Sequence, residues 1–366
     1  MKNKNQMLKM KRETIYIATR FLTQPITGVQ RYGIELSKAI KKINHDYDIT
    51  FLSPKNIIHK EIAGILEVKC VGNLKGHLWD QISLLRFLKS KGNPLVINFS
   101  NTLPIFYKNK IVTIHDITPL KYPTNYGYKN YYRIILPLMI KNSKHILTVS
   151  EFSKKEIALH FGVEERKISV IHNGVNERFR PKKSQKKTRY ILTVSSIAFH
   201  KNFINLIEAF LYLKTKRIEL HIVGELNIKV FGKNSIKILN HIKNAKNIIF
   251  WRRIDDDTLI ELYSNALCFV YPSLYEGFGL PPLEAQACGC PIVISDIPVF
   301  KEIYGDSALY FNPLNPYDIA DKIDQVINDE NLRNTLIEKG FENSKKYKWE
   351  KSAQQFFNVL EKVIKA

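Results

Sequence analysis

The stretch Tyr275-Glu276-Gly277-Phe278-Gly279-Leu280-Pro281-Pro282-Leu283-Glu284 decides how this chain is read. It follows a short apolar run, Leu267–Tyr271, and leads into residues of helical spacing, so it reads as strand, glycine loop and helix, with Pro281 or Pro282 in the first helical turn. Two glycines let backbone N–H groups approach a ligand closely, and a helix N-terminus favours an anion. Glu276 then stands in the loop and Glu284 one turn inside the helix. A carboxylate accepts two hydroxyl hydrogen bonds at once, so the pair suits a sugar on one side and a ribose on the other. The plainer alternative is a surface turn in which Glu284 merely favours the helix dipole. Either glutamate alone carries no more than that; the glycines, prolines and two glutamates together carry more.

The same alternation of apolar run, polar residues and helical spacing repeats outward in both directions, the pattern of doubly wound parallel sheets. Strands are expected near Thr14–Ala18, Ile49–Ser53, Val68–Val71, Leu95–Phe99, Ile111–His115, Ile146–Val149 and Ser169–Ile171, then near Tyr190–Val194, Leu220–Val223, Ile248–Trp251, Leu267–Tyr271, Ile292–Ser295 and Leu309–Phe311. Between the two sets lies a polar, aperiodic linker, 181–188. The fold class is therefore α/β, with a basic extension over 1–13, one Rossmann-like domain over 14–180 and a second over 189–344. The tail, 345–366, places Phe356, Leu360 and Val363 at helical spacing and reads as a closing amphipathic helix. Ligands of such sheets sit outside the carboxyl ends of the strands. There the sequence concentrates His115 and Asp116, Ser150 and Glu151, Asn173 and Gly174, Ser195 and Ser196, Gly224 and Glu225, Arg252, and Ser295 and Asp296. Two such edges facing one another across a cleft would make the active site.

The chain has 366 residues, room for two Rossmann-sized units, and 45% hydrophobic with 25% charged residues excludes wholesale disorder. No apolar run approaches the roughly 18 to 20 residues that cross a bilayer. The first twelve residues carry Lys2, Lys4, Lys9, Lys11 and Arg12 without an apolar core behind them, so no secretory signal is read and the cytoplasm is expected. Cys70, Cys268, Cys288 and Cys290 are too few and too irregular for a disulfide framework or a zinc site. The net charge of +22 is uneven: residues 1–180 hold 30 Lys+Arg against 13 Asp+Glu. Such a surface attracts polyanions, whether nucleic acid, anionic lipid or a diphosphate-bearing substrate, unless it is simply a solvated basic face. Tyr126, Tyr128, Lys129, Tyr131, Tyr132 and Arg133, ahead of an apolar run ending at Ile140, have the composition of a helix lying on an anionic membrane, although aromatic helices are more often core.

An ordered set of motifs accompanies the two glutamates: Ile26-Thr27-Gly28-Val29-Gln30-Arg31-Tyr32, Gly76-His77-Leu78-Trp79-Asp80-Gln81, Thr113-Ile114-His115-Asp116, Val149-Ser150-Glu151-Phe152-Ser153, His172-Asn173-Gly174-Val175 and His200-Lys201-Asn202. Nearly end to end, this set resembles the retaining glycosyltransferases of family 4 (group 1), which have the GT-B fold and use nucleotide-activated sugars. The first block resembles bacterial mannosyl- and rhamnosyltransferases of surface-polysaccharide assembly. The resemblance implies that Gly28 lets the backbone meet the donor diphosphate, that Lys201 neutralises that diphosphate as the sugar departs, that Glu276 holds hydroxyls of the transferred sugar and Glu284 the ribose, and that His115 contacts the donor sugar near its anomeric centre. Gly277, Phe278, Gly279 and Leu280 line the donor site in this reading, with Arg252 near the nucleobase.

The implied reaction is metal-independent transfer of a hexose with retention, from a nucleotide-diphosphate sugar used as co-substrate, GDP-mannose first, to a glycan or polyprenyl-diphosphate-linked acceptor. No resident cofactor, metal or nucleic acid is expected. Two departures stand out. His200 occupies the place of the family's usual arginine, and Arg252-Arg253 stands where relatives commonly have a glycine and an aromatic residue, either replacing that arginine or standing as exposed charge. A sugar-nucleotide epimerase of the same architecture, which needs no acceptor, and a silent nucleic-acid-binding protein are the competing readings; no nucleic-acid motif supports the second.

Overall fold

The computed structural model describes residues 13–43, 45–123, 126–182, 188–224 and 245–365. The expected basic extension up to residue 12, the centre of the linker at 183–187, and Glu225 lie outside them.

Among the described residues thirteen strands form two sheets, every observed ladder parallel. The first holds β1 (Thr14–Ala18), β2 (Asp48–Ser53), β3 (Lys69–Cys70), β4 (Leu95–Asn98), β5 (Lys110–Thr113), β6 (His145–Thr148) and β7 (Ile168–Val170), in the order β3-β2-β1-β4-β5-β6-β7. The second holds β8 (Tyr190–Val194), β9 (Glu219–Val223), β10 (Ile248–Trp251), β11 (Cys268–Tyr271), β12 (Ile292–Ser295) and β13 (Leu309–Phe311), in the order β10-β9-β8-β11-β12-β13. The central strands are continuous apolar runs because a parallel sheet is covered on both faces by its crossover helices: Leu95–Asn98, Cys268–Tyr271 and Ile292–Ser295 are buried throughout. β3 is shorter than its sequence run, and both of its residues are exposed, since it is an edge strand paired only with β2.

Each sheet has one switch point, where the winding reverses: between β1 and β4 in the first, and between β8 and β11 in the second. β1 pairs with β2 through Ile17↔Phe51 and with β4 through Ile17↔Ile97; β8 pairs with β9 through Leu192↔His221 and with β11 through Leu192↔Phe269. On one face of the second sheet, Phe203, Leu206, Ile207 and Phe210 from the helix Phe203–Tyr212 join Ile319, Ile323 and Val326 from the helix Pro316–Asn328 over Ile191, Leu220, Ile222 and Val270. Removing side chains of this size from water stabilises by roughly 1.5–3 kcal/mol each.

By compactness the chain forms two units. One runs to Ile114 and takes in Leu138–Ile146 and the end of the chain from Val363; the other comprises His115–Pro137 and Leu147–Lys362. The tail is a helix, Trp349–Lys365, with Phe356, Leu360 and Val363 buried as their spacing requires. The aromatic segment is helical from Tyr126 to Lys141, with a π-helical stretch over Tyr131–Ile135. Tyr132, Leu136, Met139 and Ile140 are core, whereas Ile134 is 59% and Leu138 39% exposed, with Arg133 and Lys141 also exposed. Among the described residues no helix is long and apolar enough to cross a membrane.

Candidate active site

The second switch point assembles most of the expected site within the larger unit. The chain leaves β8 through Ser195–Ala198, makes a 3₁₀ turn over Phe199–Lys201, and enters the helix Phe203–Tyr212 through Asn202, whose φ of +56° closes the turn. β11 leads into the glycine loop. A backbone bond joins the two connections, Leu274 N–H donating to the His200 carbonyl at 2.7 Å. Strands adjacent in the sheet but distant in sequence thus bring Lys201 and Glu276 together. The Lys201 ammonium is ion-paired with Glu276 Oε1 and donates to the Tyr271 hydroxyl at 3.2 Å; the Ser273 hydroxyl donates to the same Glu276 oxygen at 2.8 Å. Both paired side chains are largely shielded, 13% and 12% exposed.

Burial alone would push the Glu276 carboxyl up. Lys201, with the hydrogen bonds from Lys201 and Ser273, reverses this and holds it below the usual carboxylate range. His200 responds the other way: burial first, then the adjacent ammonium, push its imidazole down to about 4, against the pull of Glu276. At neutral pH the residue in the arginine's place is therefore uncharged, and Lys201 is the cation of this turn.

The glycine loop is as tight as its composition implies. A Cβ on Gly277 would lie 2.7 Å from the His115 carbonyl oxygen and 3.0 Å from Asp116 Cβ; one on Gly279, at φ +93°, would lie 2.7 Å from the Phe300 ring. His115, buried just beyond β5, therefore abuts the loop that carries Glu276. The Tyr304 hydroxyl donates to the Gly279 carbonyl, and the helix Leu280–Ala287 opens with proline in its first turn. Phe278 and Leu280 are buried. Glu284 is buried in that helix, its Oε2 3.4 Å from the Tyr263 hydroxyl.

Two expected donor residues are on neither β8, β11 nor the connections that follow them. Arg252 follows β10 and is exposed, with β9 between its strand and β8. Gly28 belongs to the other unit, where it is the first residue of the helix Gly28–Lys42; Thr27 precedes it, its N–H donating to Gln30 Oε1 at 3.2 Å. A Cβ on Gly28 would meet nothing within 4 Å, so no tight packing inside the protein requires glycine there.

Sequence reasoning missed Tyr271, Ser273, Tyr263 and Tyr304. Ser273 and Tyr271 stand just ahead of the quoted stretch and could have been read as its extension; Tyr263 and Tyr304 lie on separate helices and give no local signal. The Gly76–Gln81 motif proves to be a clamp in the smaller unit. Trp79 donates to the Val71 carbonyl at 2.7 Å, Asp80 pairs with buried Arg20 at 3.0 Å, and Gln81 bridges the Leu103 carbonyl and the Ile105 N–H. Burial pushes the Asp80 carboxyl up to about 7, although Arg20 acts to lower it.

The comparisons with known proteins converge on this class. Residues 26–179 match the family described as Glycosyltransferase Family 4, and residues 175–343 the family described as Glycosyl transferases group 1. The chain is 33% identical over 303 residues to O-antigen chain mannosyltransferase RfbU of Salmonella typhimurium, covering 78% of this chain and 83% of that one. It is 27% identical to O-antigen chain mannosyltransferase B of Escherichia coli, over 94% of this chain and 98% of that one. Among solved structures, Anabaena HepE in complex with UDP and glucose superposes with a TM-score of 0.76 at 16% identity, covering 96% of this chain and all of that one. Sucrose-phosphate synthase from Thermosynechococcus elongatus gives a TM-score of 0.76 at 18% identity, over 96% and 99%. Two Rossmann-like domains, with these matches, make the chain a GT-B glycosyltransferase. The chain belongs to glycosyltransferase family 4, group 1.

Proposed function

We propose that the protein transfers a hexose, mannose first, from a GDP-sugar to a glycan or polyprenyl-diphosphate-linked acceptor in bacterial surface-polysaccharide synthesis, with retention at the anomeric carbon and without a metal ion. The observation that carries this reading is the shielded Lys201–Glu276 pair beside the glycine loop. Without substrate, the two charges satisfy one another. A donor that places its diphosphate against Lys201 and its hydroxyls against Glu276 gives each a new partner, and the ammonium then faces the oxygen on which charge develops as the glycosidic bond breaks. Backbone N–H groups of Gly277–Leu280 at the start of the Leu280–Ala287 helix add to that field, and Glu284 accepts from the ribose hydroxyls. His115, against the loop, faces the sugar. The leaving phosphate oxygen takes the proton of the acceptor hydroxyl, so no covalent sugar–enzyme bond forms. Mannose rests on the names of the relatives. Catalysis in the cytoplasm, with Ile134, Leu138, Arg133 and Lys141 resting on an anionic membrane, completes the reading.

A panel of nucleotide sugars screened by thermal shift tests the donor, because a bound ligand raises stability by RT ln(1 + [L]/Kd). GDP-mannose is expected to give the largest shift, and transfer is expected to persist in excess EDTA. A larger shift with a UDP-sugar would replace the donor. Turnover of a nucleotide sugar to its epimer, with no second substrate, would replace the reaction.

A further inference from the structure

The motif Val149-Ser150-Glu151-Phe152-Ser153 has no role in the chemistry above, yet its hydroxyls reach the glycine loop. The Ser150 and Ser153 hydroxyls, both on fully buried residues, donate to the Gly277 carbonyl at 2.7 and 3.2 Å. Ser150 also caps the helix Glu151–Phe161, its Oγ accepting from the Ser153 N–H at 3.0 Å. The first two N–H groups of that helix are held by a carboxylate from far along the chain: Glu302 Oε1 accepts from Glu151 and Oε2 from Phe152, each at 2.7 Å. Glu302 lies on the helix Pro298–Tyr304, whose last residue, Tyr304, donates to the Gly279 carbonyl. The loop is thus gripped at three successive points: the Glu276 side chain by Lys201 and Ser273, the Gly277 carbonyl by the two serines, and the Gly279 carbonyl by Tyr304.

We propose that Glu302 is a positioning residue for transfer: clamped on the N-terminus of the Glu151–Phe161 helix, it fixes Ser150 and Ser153 so that they hold Gly277 and, through it, the carboxylate of Glu276. A carboxylate bound to two N–H groups at a helix start combines charge-assisted hydrogen bonds with the helix dipole, which suits it to set an orientation rather than only to fill space. The inference rests on the sugar-binding role of Glu276 proposed above, and it adds residues that never touch substrate.

The test compares Glu302→Ala, Glu302→Gln, the pair Ser150→Ala with Ser153→Ala, and all three alanine changes together. Asp329→Ala serves as the control, because Asp329 caps the helix Glu330–Ser344 through the Leu332 N–H at 2.9 Å and has no part in the site. Hydrogen exchange, which needs no substrate, is expected to be about tenfold faster at the amides of 276–279 in Glu302→Ala and unchanged in Asp329→Ala. With a working donor, kcat is expected to fall about tenfold in Glu302→Ala and in the serine pair, and no further when the two are combined, as for residues acting as a unit. GDP affinity is expected to stay within about twofold of the parent, and Glu302→Gln, which keeps one acceptor, to recover part of kcat. Unchanged exchange in Glu302→Ala, fully multiplicative losses, or a fall in kcat no greater than that of Asp329→Ala at matched Tm would overturn the proposal. If Glu302→Ala does not fold, exchange in Glu302→Gln and in the serine pair decides by the same criteria. Absence of hexose transfer by the parent protein would instead overturn the reading of the site.

Discussion

Lys201 and Glu276 occupy one another before any donor arrives, so the two roles assigned to them share a single ion pair. Lys201→Ala is expected to lower kcat by about a hundredfold or more while changing the donor KM little, because leaving-group charge is largest in the transition state. Glu284→Ala is expected instead to raise the Kd for GDP roughly tenfold through lost ribose hydrogen bonds, a split that steady-state kinetics and calorimetry together would read. Small, equal effects from both would put the site elsewhere. His200 adds a pH dependence of definite sign. Its imidazole is held down to about 4 by burial and by Lys201, against an ordinary 6.5, so between these values the unfolded chain takes up a proton that the folded one does not. Stability from this residue is full above pH 6.5 and is lost as the pH falls towards 4, by about 3 kcal/mol at most. The drop in Tm between pH 7 and pH 5 is therefore expected to be smaller in His200→Asn than in the parent; an equal drop would show that His200 is not held neutral.

At the level of elements, the glycine loop and the Gly76–Gln81 motif lead to separate expectations, one for activity and one for stability. Gly277 cannot accept a Cβ without moving off the His115 carbonyl, so Gly277→Ala is expected to cost about tenfold or more in kcat with a Tm lowered by only a few degrees; activity close to the parent's would mean that the loop need not sit against His115. In the smaller unit, Asp80→Ala takes from buried Arg20 the oxygen it is paired with and is expected to destabilise by about 1–3 kcal/mol in a denaturant titration. A loss below about 1 kcal/mol would show that the pair is dispensable. The strands themselves were legible because a parallel strand buried on both faces, as in Leu95–Asn98, Cys268–Tyr271 and Ile292–Ser295, is an apolar run, and each of the thirteen expected runs overlaps a strand among the described residues. β3 shrank to two residues for the complementary reason: at an edge, pairing on one side only sustains less ladder than the Val68–Val71 run alone implies.

For the whole molecule, the consequences of charge and mechanism are measurable without further structure. The excess of basic residues before residue 181, with exposed Ile134 and Leu138 beside Arg133 and Lys141, leads to the expectation that the protein co-sediments with anionic vesicles at low salt, and that changing Lys129, Arg133, Lys141 and Lys144 to glutamate abolishes this. Binding unaffected by these changes would place the contact elsewhere. Product NMR is expected to show a retained anomeric centre, and mass spectrometry during turnover no sugar on Glu276. Inversion, or an adduct, would overturn the mechanism.

Composition and periodicity determined the two-sheet α/β architecture, the closing helix, and the glycine loop between the fourth strand of the second set and the helix after it, because each follows from hydrophobic spacing and backbone conformation within a few residues. Only the tertiary structure decided that β11 lies beside β8 rather than beside β10, and so set Lys201 on Glu276 and left Arg252 two strands away at the sheet's edge. It also decided that His200 is neutral, since its charge depends on burial and on an ammonium whose position the fold fixes. The grip of Ser150, Ser153, Glu302 and Tyr304 on the glycine loop joins residues up to about 150 positions apart, and no local spacing encodes which buried carbonyl a distant hydroxyl will meet.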